Sequence, residues 1–402
     1  ALEALDEAAV RRRLAEDGGY AGSPFRYYAH VADPLVLKDV AARAAALAAR
    51  DVAAPAAPAG DAPREGPVRV GVVSQDLRDH PMLKLIAGVL GALDPARIAL
   101  HVYALGPDSD DPRRRELAAR AHRFAAFARE SDAEVAEAIR GDRLHVLVDL
   151  MGYTRNARPG VLARRPCAVQ ATWLGLPGTS GAPFIDAILA DAVVIPPGAE
   201  AGYAERVERL SPTYYPFDPR SVRPEPPEDR TAFGLPGDGV VFASFNQSFK
   251  LDRRRFATWM EILEATPGSV LWLMAAGEGA EGRLREEARA RGVAPERLIF
   301  APREDHATHY RRLAAVDVAL DTWLYGGHTT TIDALWCGTP VVTRAGPSFS
   351  ARVAASILEA AELGELVVGD EDAYARCAAA LAGDAARLAE VTDRLRRRPP
   401  EA

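Results

Sequence analysis

Short runs of Val, Leu and Ile, too short for helices and without polar alternation, recur along this chain with amphipathic stretches between them. In a first series, Val68–Val73, Ile98–Leu105, Leu144–Leu150, Ala168–Leu174 and Phe184–Leu189 read as strands, with helices at Met82–Leu93 and Glu134–Arg140. The pattern breaks and restarts. Val240–Phe245, Ser269–Ala275, Leu298–Ala301, Val316–Asp321 and Pro340–Thr343 then read as strands, and Arg253–Ala265, Glu281–Arg291, Thr330–Trp336 and Ala351–Ala361 as helices. Continuous apolar strands alternating with helices belong to parallel sheets covered on both faces. Two such series predict an α/β protein of two Rossmann-like, doubly wound domains. Ligands of such sheets bind at the carboxyl ends of the strands, here expected in a cleft between the two domains.

The breaks set the expected domains. Residues 1–50 read as a helical N-terminal segment, with helices such as Leu5–Ala15 and Val36–Ala49. Residues 51–67, with A-A-P-A-A-P-A-G-D-A-P-R-E-G-P from Ala53, read as a Pro/Ala linker stiffened by proline. Residues 68–210 form the expected first lobe, 211–236 a connector rich in Pro and charge, and 237–402 the second lobe.

Composition narrows the partners. Lys plus Arg is 49 and Asp plus Glu 56, a net charge of −7, which argues against a general nucleic-acid binder. Three widely spaced cysteines, Cys167, Cys337 and Cys377, suit buried thiols in a reducing, cytoplasmic setting rather than a disulfide framework or a Cys-rich zinc site. The acidic N-terminus is no signal peptide, and no apolar run reaches the roughly 18 residues of a membrane span.

Several polar runs fall at strand ends. In G-G-H-T-T-T-I-D, Gly326–Asp333, two glycines precede a helix that Thr329 or Thr330 could cap, a ready anion site. There His328 could donate to a phosphate, and Asp333, one turn past Thr329, could reach a ribose; a plain capped helix is the alternative. In F-N-Q-S-F-K, Lys250 could neutralise a diphosphate without metal and Gln247 could add a hydrogen bond, or Lys250 is a solvated loop lysine. His306 and His309, three apart, could share a helix face, and one could stack on a base; no third metal ligand is evident beyond Glu304 and Asp305. His80, just before Pro81, could be a general base or a sugar contact, or a packed loop histidine. The Gly/Pro-rich turn Trp173–Gly181 offers backbone groups to a ligand. The D-x-D of Asp108 and Asp110 reads as an acidic surface turn. A dinucleotide fingerprint, a Walker loop, a serine nucleophile elbow and H-E-x-x-H are all missing.

Together these runs resemble the catalytic region of the O-GlcNAc transferase family, glycosyltransferase family 41. The similar stretches are R-V-G-V-V-S-Q-D-L-R-D-H-P, H-V-L-V-D-L-M-G-Y-T, R-P-C-A-V-Q-A-T-W-L-G-L-P-G-T-S-G, F-N-Q-S-F-K-L-D, S-V-L-W-L-M, G-G-H-T-T-T-I-D-A-L-W-C-G-T-P-V-V-T and S-A-R-V-A-A-S, in that order over about Val68–Leu358. The resemblance implies a GT-B fold and inverting, metal-independent transfer of a sugar, GlcNAc from UDP-GlcNAc, onto Ser or Thr of an acceptor protein. No cofactor, nucleic acid or membrane is implied. It also implies roles. Lys250 and Gln247 resemble the diphosphate contacts; His328, Thr329 and Thr330 the helix-terminus part of that site; Asp333 the ribose contact. His309 resembles the residue that stacks on uracil, with Arg312 close by, and His80 the cleft histidine. Leu174, Gly175, Pro177, Gly178 and Thr179 resemble the sugar-side wall.

The chain departs from the family in places. Tetratricopeptide repeats are lacking, residues 1–50 resemble only the bridge after them, and the chain stops at D-R-L-R-R-R-P-P-E-A, ahead of the family's closing helix. Phe249 stands where animal enzymes have Tyr, and His306 where a lysine contacts the base. The rival readings are another donor, GDP-fucose or a CMP-sugar as in flagellin glycosylation, a sugar-nucleotide 2-epimerase, and a non-catalytic nucleotide-binding module.

Overall fold

The structure, a computed structural model, describes residues 7–15, 23–52, 62–218, 220–227 and 229–397. They divide into two compact units, the boundary falling between Arg220 and Ser221.

The first unit is built on seven parallel strands: β1 (Val68–Ser74), β2 (Ile98–Ala104), β3 (Arg123–Ala126), β4 (Val146–Asp149), β5 (Gln170–Thr172), β6 (Ala187–Ala190) and β7 (Arg206–Arg209). Their order is β3-β2-β1-β4-β5-β6-β7. Register runs in step, with Val70 beside Leu100 on one side and Val146 on the other. The order reverses between β1 and β4, so the loops that follow these two strands open the crevice where such a sheet takes ligands. β3, which starts at Arg123, and β7, with arginine at both ends, are half-exposed edge strands. A strand with one neighbour needs no continuous apolar run, which is why neither was expected. The strand expected from Phe184 starts only at Ala187.

The second unit repeats the plan: β8 (Val241–Ser244), β9 (Val270–Met274), β10 (Leu298–Ala301), β11 (Val318–Leu320), β12 (Val341–Arg344) and β13 (Val367–Val368). The order is β10-β9-β8-β11-β12-β13, again parallel, with the switch between β8 and β11. Val241, Phe242, Leu271, Trp272, Val318 and Val342 are buried in its core.

Among the described residues, those N-terminal to β1 form no separate domain. Helix Pro34–Ala48, capped by Asp33, buries Val36, Leu37, Val40, Ala41, Ala44 and Ala45. Its Lys38 Nζ donates to the Ala201 carbonyl at 2.9 Å. Gly181, at φ +60°, lies so close to the Ala41–Ala42 backbone that a Cβ would collide with it. Residues 23–52 therefore belong to the first unit. Of the expected linker, residues 53–61 lie outside the described residues, as does Leu5 of the first expected helix. From residue 62 the chain is held down: the His145 ring spans Arg69 N (2.9 Å) and Pro63 O (3.0 Å).

The expected connector 211–236 is divided between the units. Tyr214, Tyr215 and Asp218 are buried in the first, where Tyr214 O accepts from Trp173 Nε1 at 2.9 Å. Arg230, in the second, pairs with Asp317 at 3.0 Å. No described helix is long and apolar enough to cross a membrane.

Candidate active site

In the second unit, four sequence-predicted residues meet at the carboxyl end of β8. The strand ends at Ser244, and Ser248–Lys250 make one 3₁₀ turn that carries Lys250 back toward the sheet. Its Nζ donates to Gly326 O at 2.7 Å and to Asn246 Oδ1 at 3.2 Å, and lies 4.1 Å from the centre of the Tyr325 ring. An ammonium has three hydrogens. Two are bound within the protein, which leaves one for a ligand. Desolvation pulls the Lys250 pKa down to about 8, against an upward pull from the Asp321 carboxylate. The lysine is thus half-buried and held, not the solvated loop residue that position alone allowed.

Helix Thr329–Trp336 follows the Gly326–Gly327 turn. Its N-cap is His328, whose side chain makes no cap bond, so the threonines lie inside the first turn rather than capping it. First-turn N–H groups lie outside a helix's own ladder and favour anions. Thr330 Oγ1 donates to Asn246 Oδ1 at 3.2 Å, so one amide oxygen joins the lysine to the helix start. A Cβ on Gly327 would collide with Thr331 Oγ1 and lie 2.8 Å from Thr330 Oγ1. His328 sits 5.1 Å from the Tyr325 ring, and burial together with the Lys250 charge drives its pKa well down. It is a neutral donor or acceptor, not a cation. Gln247 is exposed beside this cluster.

The residues expected around a base and ribose come from helix His306–Leu313 and from Asp333. His309 lies edge-on to Phe245, 5.4 Å between rings, and burial, His306 and Arg312 lower its pKa to about 4. A neutral imidazole at this place suits stacking. His306 packs 4.1 Å from the Tyr310 ring. Asn246, His309 and Thr330 share a small hollow with Phe245, Asp321 and Leu320. Arg312 is buried and turned inward: it donates to Pro302 O at 2.6 Å and Glu304 Oε1 at 3.3 Å. Asp333 is 7% exposed and accepts from Tyr310 OH at 2.9 Å, which fixes its carboxylate beside that helix.

In the first unit, His80 is the N-cap of helix Pro81–Gly91. Its Nδ1 accepts the Met82 N–H at 3.2 Å and lies 3.7 Å from Asp76 Oδ2. Burial lowers its pKa, partly offset by Asp76. A neutral ring that accepts at Nδ1 carries its hydrogen at Nε2, so Nε2 is a donor.

The turn after β5 holds the other predicted residues. Leu174 is buried at φ +65°, and a Cβ on Gly175 would lie 2.7 Å from the Met151 backbone. Pro177 leads into Gly178, which packs on the Tyr28 ring, where a Cβ would lie 2.8 Å from Cε1. Thr179 faces inward rather than toward a ligand: it is 2% exposed and donates to Glu205 Oε2 at 2.7 Å. Ser180 N donates to the other Glu205 oxygen at 2.6 Å.

Three residues at these strand ends escaped sequence reasoning: Asn246, Asp321 and Asp149. Asn246 and Asp149 stand inside motifs already singled out and Asp321 ends an expected strand, but only the fold shows what their oxygens hold. Asp149, at the end of β4, accepts from Met151 N (3.0 Å) and Gly152 N (2.8 Å), and burial raises its pKa to about 6. Among the described residues no group of three His, Cys, Asp or Glu could hold a metal ion. Asp108 and Asp110 are exposed and pair with the buried Arg114 and the exposed Arg115.

The chain is similar to known proteins in family, in sequence and in structure. The family model described as glycosyl transferase family 41 matches residues 36–225 and 227–401. Among curated proteins, the "Probable UDP-N-acetylglucosamine–peptide N-acetylglucosaminyltransferase SEC" of Arabidopsis thaliana is 33% identical over 405 residues, spanning 97% of this chain and 42% of that protein. The UDP-N-acetylglucosamine–peptide N-acetylglucosaminyltransferase of Caenorhabditis elegans is 27% identical over 436 residues, spanning 81% of this chain and 38% of that one. Among solved structures, a lysine-to-methionine mutant of the Thermobaculum terrenum O-GlcNAc transferase superposes with a TM-score of 0.83 at 32% identity, covering 96% of this chain and 72% of that one. This chain spans less than half the length of the curated relatives it matches.

Proposed function

The chain belongs to glycosyl transferase family 41, and from that premise we propose that it transfers GlcNAc from UDP-GlcNAc to Ser or Thr hydroxyls of an acceptor protein, with inversion and without a metal. The observation that carries the reading is Lys250, held by Gly326 O and Asn246 Oδ1 next to the start of helix Thr329–Trp336. A half-buried ammonium beside a helix N-terminus is a preorganised site for a diphosphate.

In the proposed reaction the acceptor oxygen attacks the anomeric carbon from the side opposite the diphosphate. The carbon–oxygen bond to the diphosphate breaks as the new one forms, and UDP leaves with the bonding pair. Lys250 and the first-turn N–H groups offset the charge that develops on the leaving oxygen, the role a metal fills elsewhere. His309 stacks on the base and Asp333 addresses the ribose. His80 presents Nε2–H, which suits hydrogen bonding to a ligand oxygen better than proton removal. The serine or threonine proton leaves to another acceptor or to water. A cytoplasmic setting is part of this reading and rests on the cysteine pattern.

The test is Lys250→Ala. It should abolish transfer while weakening UDP binding far less, because the charge it meets grows in the transition state. Wild-type-like turnover in that variant would sink the proposal.

A further inference from the structure

We propose that Asp321 is a positioning residue of this site: its buried carboxylate holds the Gly326–Gly327 peptide in place and acts through that peptide as the counter-ion of Lys250. The inference rests on the transferase reading only for the identity of the ligand.

Asp321 directly follows β11, at the switch point of the second sheet, and is 2% exposed. One carboxylate oxygen accepts the Gly327 N–H at 2.5 Å, and the other accepts the Thr343 hydroxyl from β12 at 2.7 Å. The Asp321 carbonyl accepts Tyr374 OH at 2.9 Å, which fixes the backbone as well. The Gly327 N–H and the Gly326 C=O belong to one peptide unit. The carboxylate binds its hydrogen end, and Lys250 Nζ binds its oxygen end at 2.7 Å. The peptide dipole therefore lies with its positive end on the anion and its negative end on the cation, the favourable alignment for both.

Carboxylate and ammonium form no direct ion pair, so the lysine's remaining hydrogen stays available to a ligand while its charge is still compensated. Room is the second sign of design. A Cβ on Gly326 would sit 3.0 Å from Asp321 Oδ2, and one on Gly327 would sit 3.0 Å from Oδ1. A side chain at either position would press on the carboxylate, so the two glycines let the turn lie close against it.

The other charges around the pair are accounted for. Arg255 donates to Lys250 O at 2.9 Å and pairs with Asp252 at 2.7 Å; its charge also faces Asp321. Arg344 and Glu371 pair at 2.7 Å beyond it. His328 is neutral. Asp321 is thus the acid set against Lys250, and its pull opposes the desolvation that lowers the lysine's pKa.

The test is Asp321→Asn, which keeps the shape and removes the charge. The chain has three lysines, Lys38, Lys84 and Lys250, so competitive amine labelling read by mass spectrometry follows each one's titration, with two internal references. The measurement needs no nucleotide, so it stands apart from the transferase reading. The proposal expects the Lys250 midpoint to fall by about one unit in Asp321→Asn, a roughly threefold rise in the reactive fraction near pH 7.5, while Lys38 and Lys84 stay put. Calorimetric UDP affinity should fall up to about fivefold at pH 8 and much less at pH 6, where Lys250 is largely protonated in both proteins. An unmoved Lys250 midpoint in folded Asp321→Asn overturns the proposal. Thr343→Val is the companion variant: it removes a neighbour's hydrogen bond and keeps the charge. It should lower thermal stability and leave the Lys250 midpoint in place; a comparable shift there would mean packing, not charge, governs the lysine.

Discussion

Lys250 and Asp149 show how one physical cause acts in opposite directions on a base and an acid. Desolvation disfavours the charged form of each. For Lys250 this lowers the pKa to about 8, so the cation that the proposed diphosphate site uses is present below pH 8 and lost above it. The free-enzyme profile of kcat/KM should therefore show an alkaline limb of one proton near pH 8, measured by initial rates at low donor concentration. Asp149 moves the other way, to about 6 against an ordinary carboxyl near 4. Its protonated form is favoured by folding, so it adds stability as pH falls from about 6 to 4, the reverse of a salt-bridged aspartate. Asp149→Asn cannot take up that proton. Its melting temperature relative to wild type should decline between pH 7 and pH 4.5; a constant difference would show that the carboxyl does not titrate in that window.

The loops that carry the site depend on two glycine positions with distinct consequences. Gly327→Ala would drive a methyl into Thr331 Oγ1 and against Thr330 Oγ1. The turn must then lift, and with it the peptide that Lys250 holds. UDP affinity should drop at least tenfold with little change in the melting temperature. Gly181→Ala meets backbone rather than a side chain and sits at φ +60°. It should displace helix Pro34–Ala48 and destabilise by about 1–3 kcal/mol, the usual cost of overpacking, read from denaturant midpoints. At this scale the sequence was informative about apolar strands and poor about polar detail. β1, β2, β8 and β9 were legible because continuous Val/Leu/Ile runs have no other home. β3 and β7 were not, because edge strands mix charge with short apolar stretches. Lys250 could be placed at a strand's end, but its shorter hydrogen bond goes to Gly326, 76 residues away and beyond any local pattern. The inward turns of Thr179 and Arg312 likewise follow from Glu205, Pro302 and Glu304, acceptors that only the folded chain brings near.

The two-unit plan was readable because the apolar rhythm stops and restarts; the boundaries were less so. Proline-rich composition suggested a linker ahead of Val68 and a connector over 211–236. Yet helix Pro34–Ala48 packs within the first unit, and Tyr214, Tyr215 and Asp218 are core residues of it. Burial, not composition, decides where a unit ends. The most direct test of the proposed activity is to incubate the chain with acceptor protein and UDP-GlcNAc, GDP-fucose or a CMP-sugar in EDTA, and to weigh the product. One added N-acetylhexosamine on Ser or Thr is expected with UDP-GlcNAc and none with the other donors. Transfer from GDP-fucose or a CMP-sugar instead, or transfer from UDP-GlcNAc that appears only when a divalent metal is restored, would contradict it.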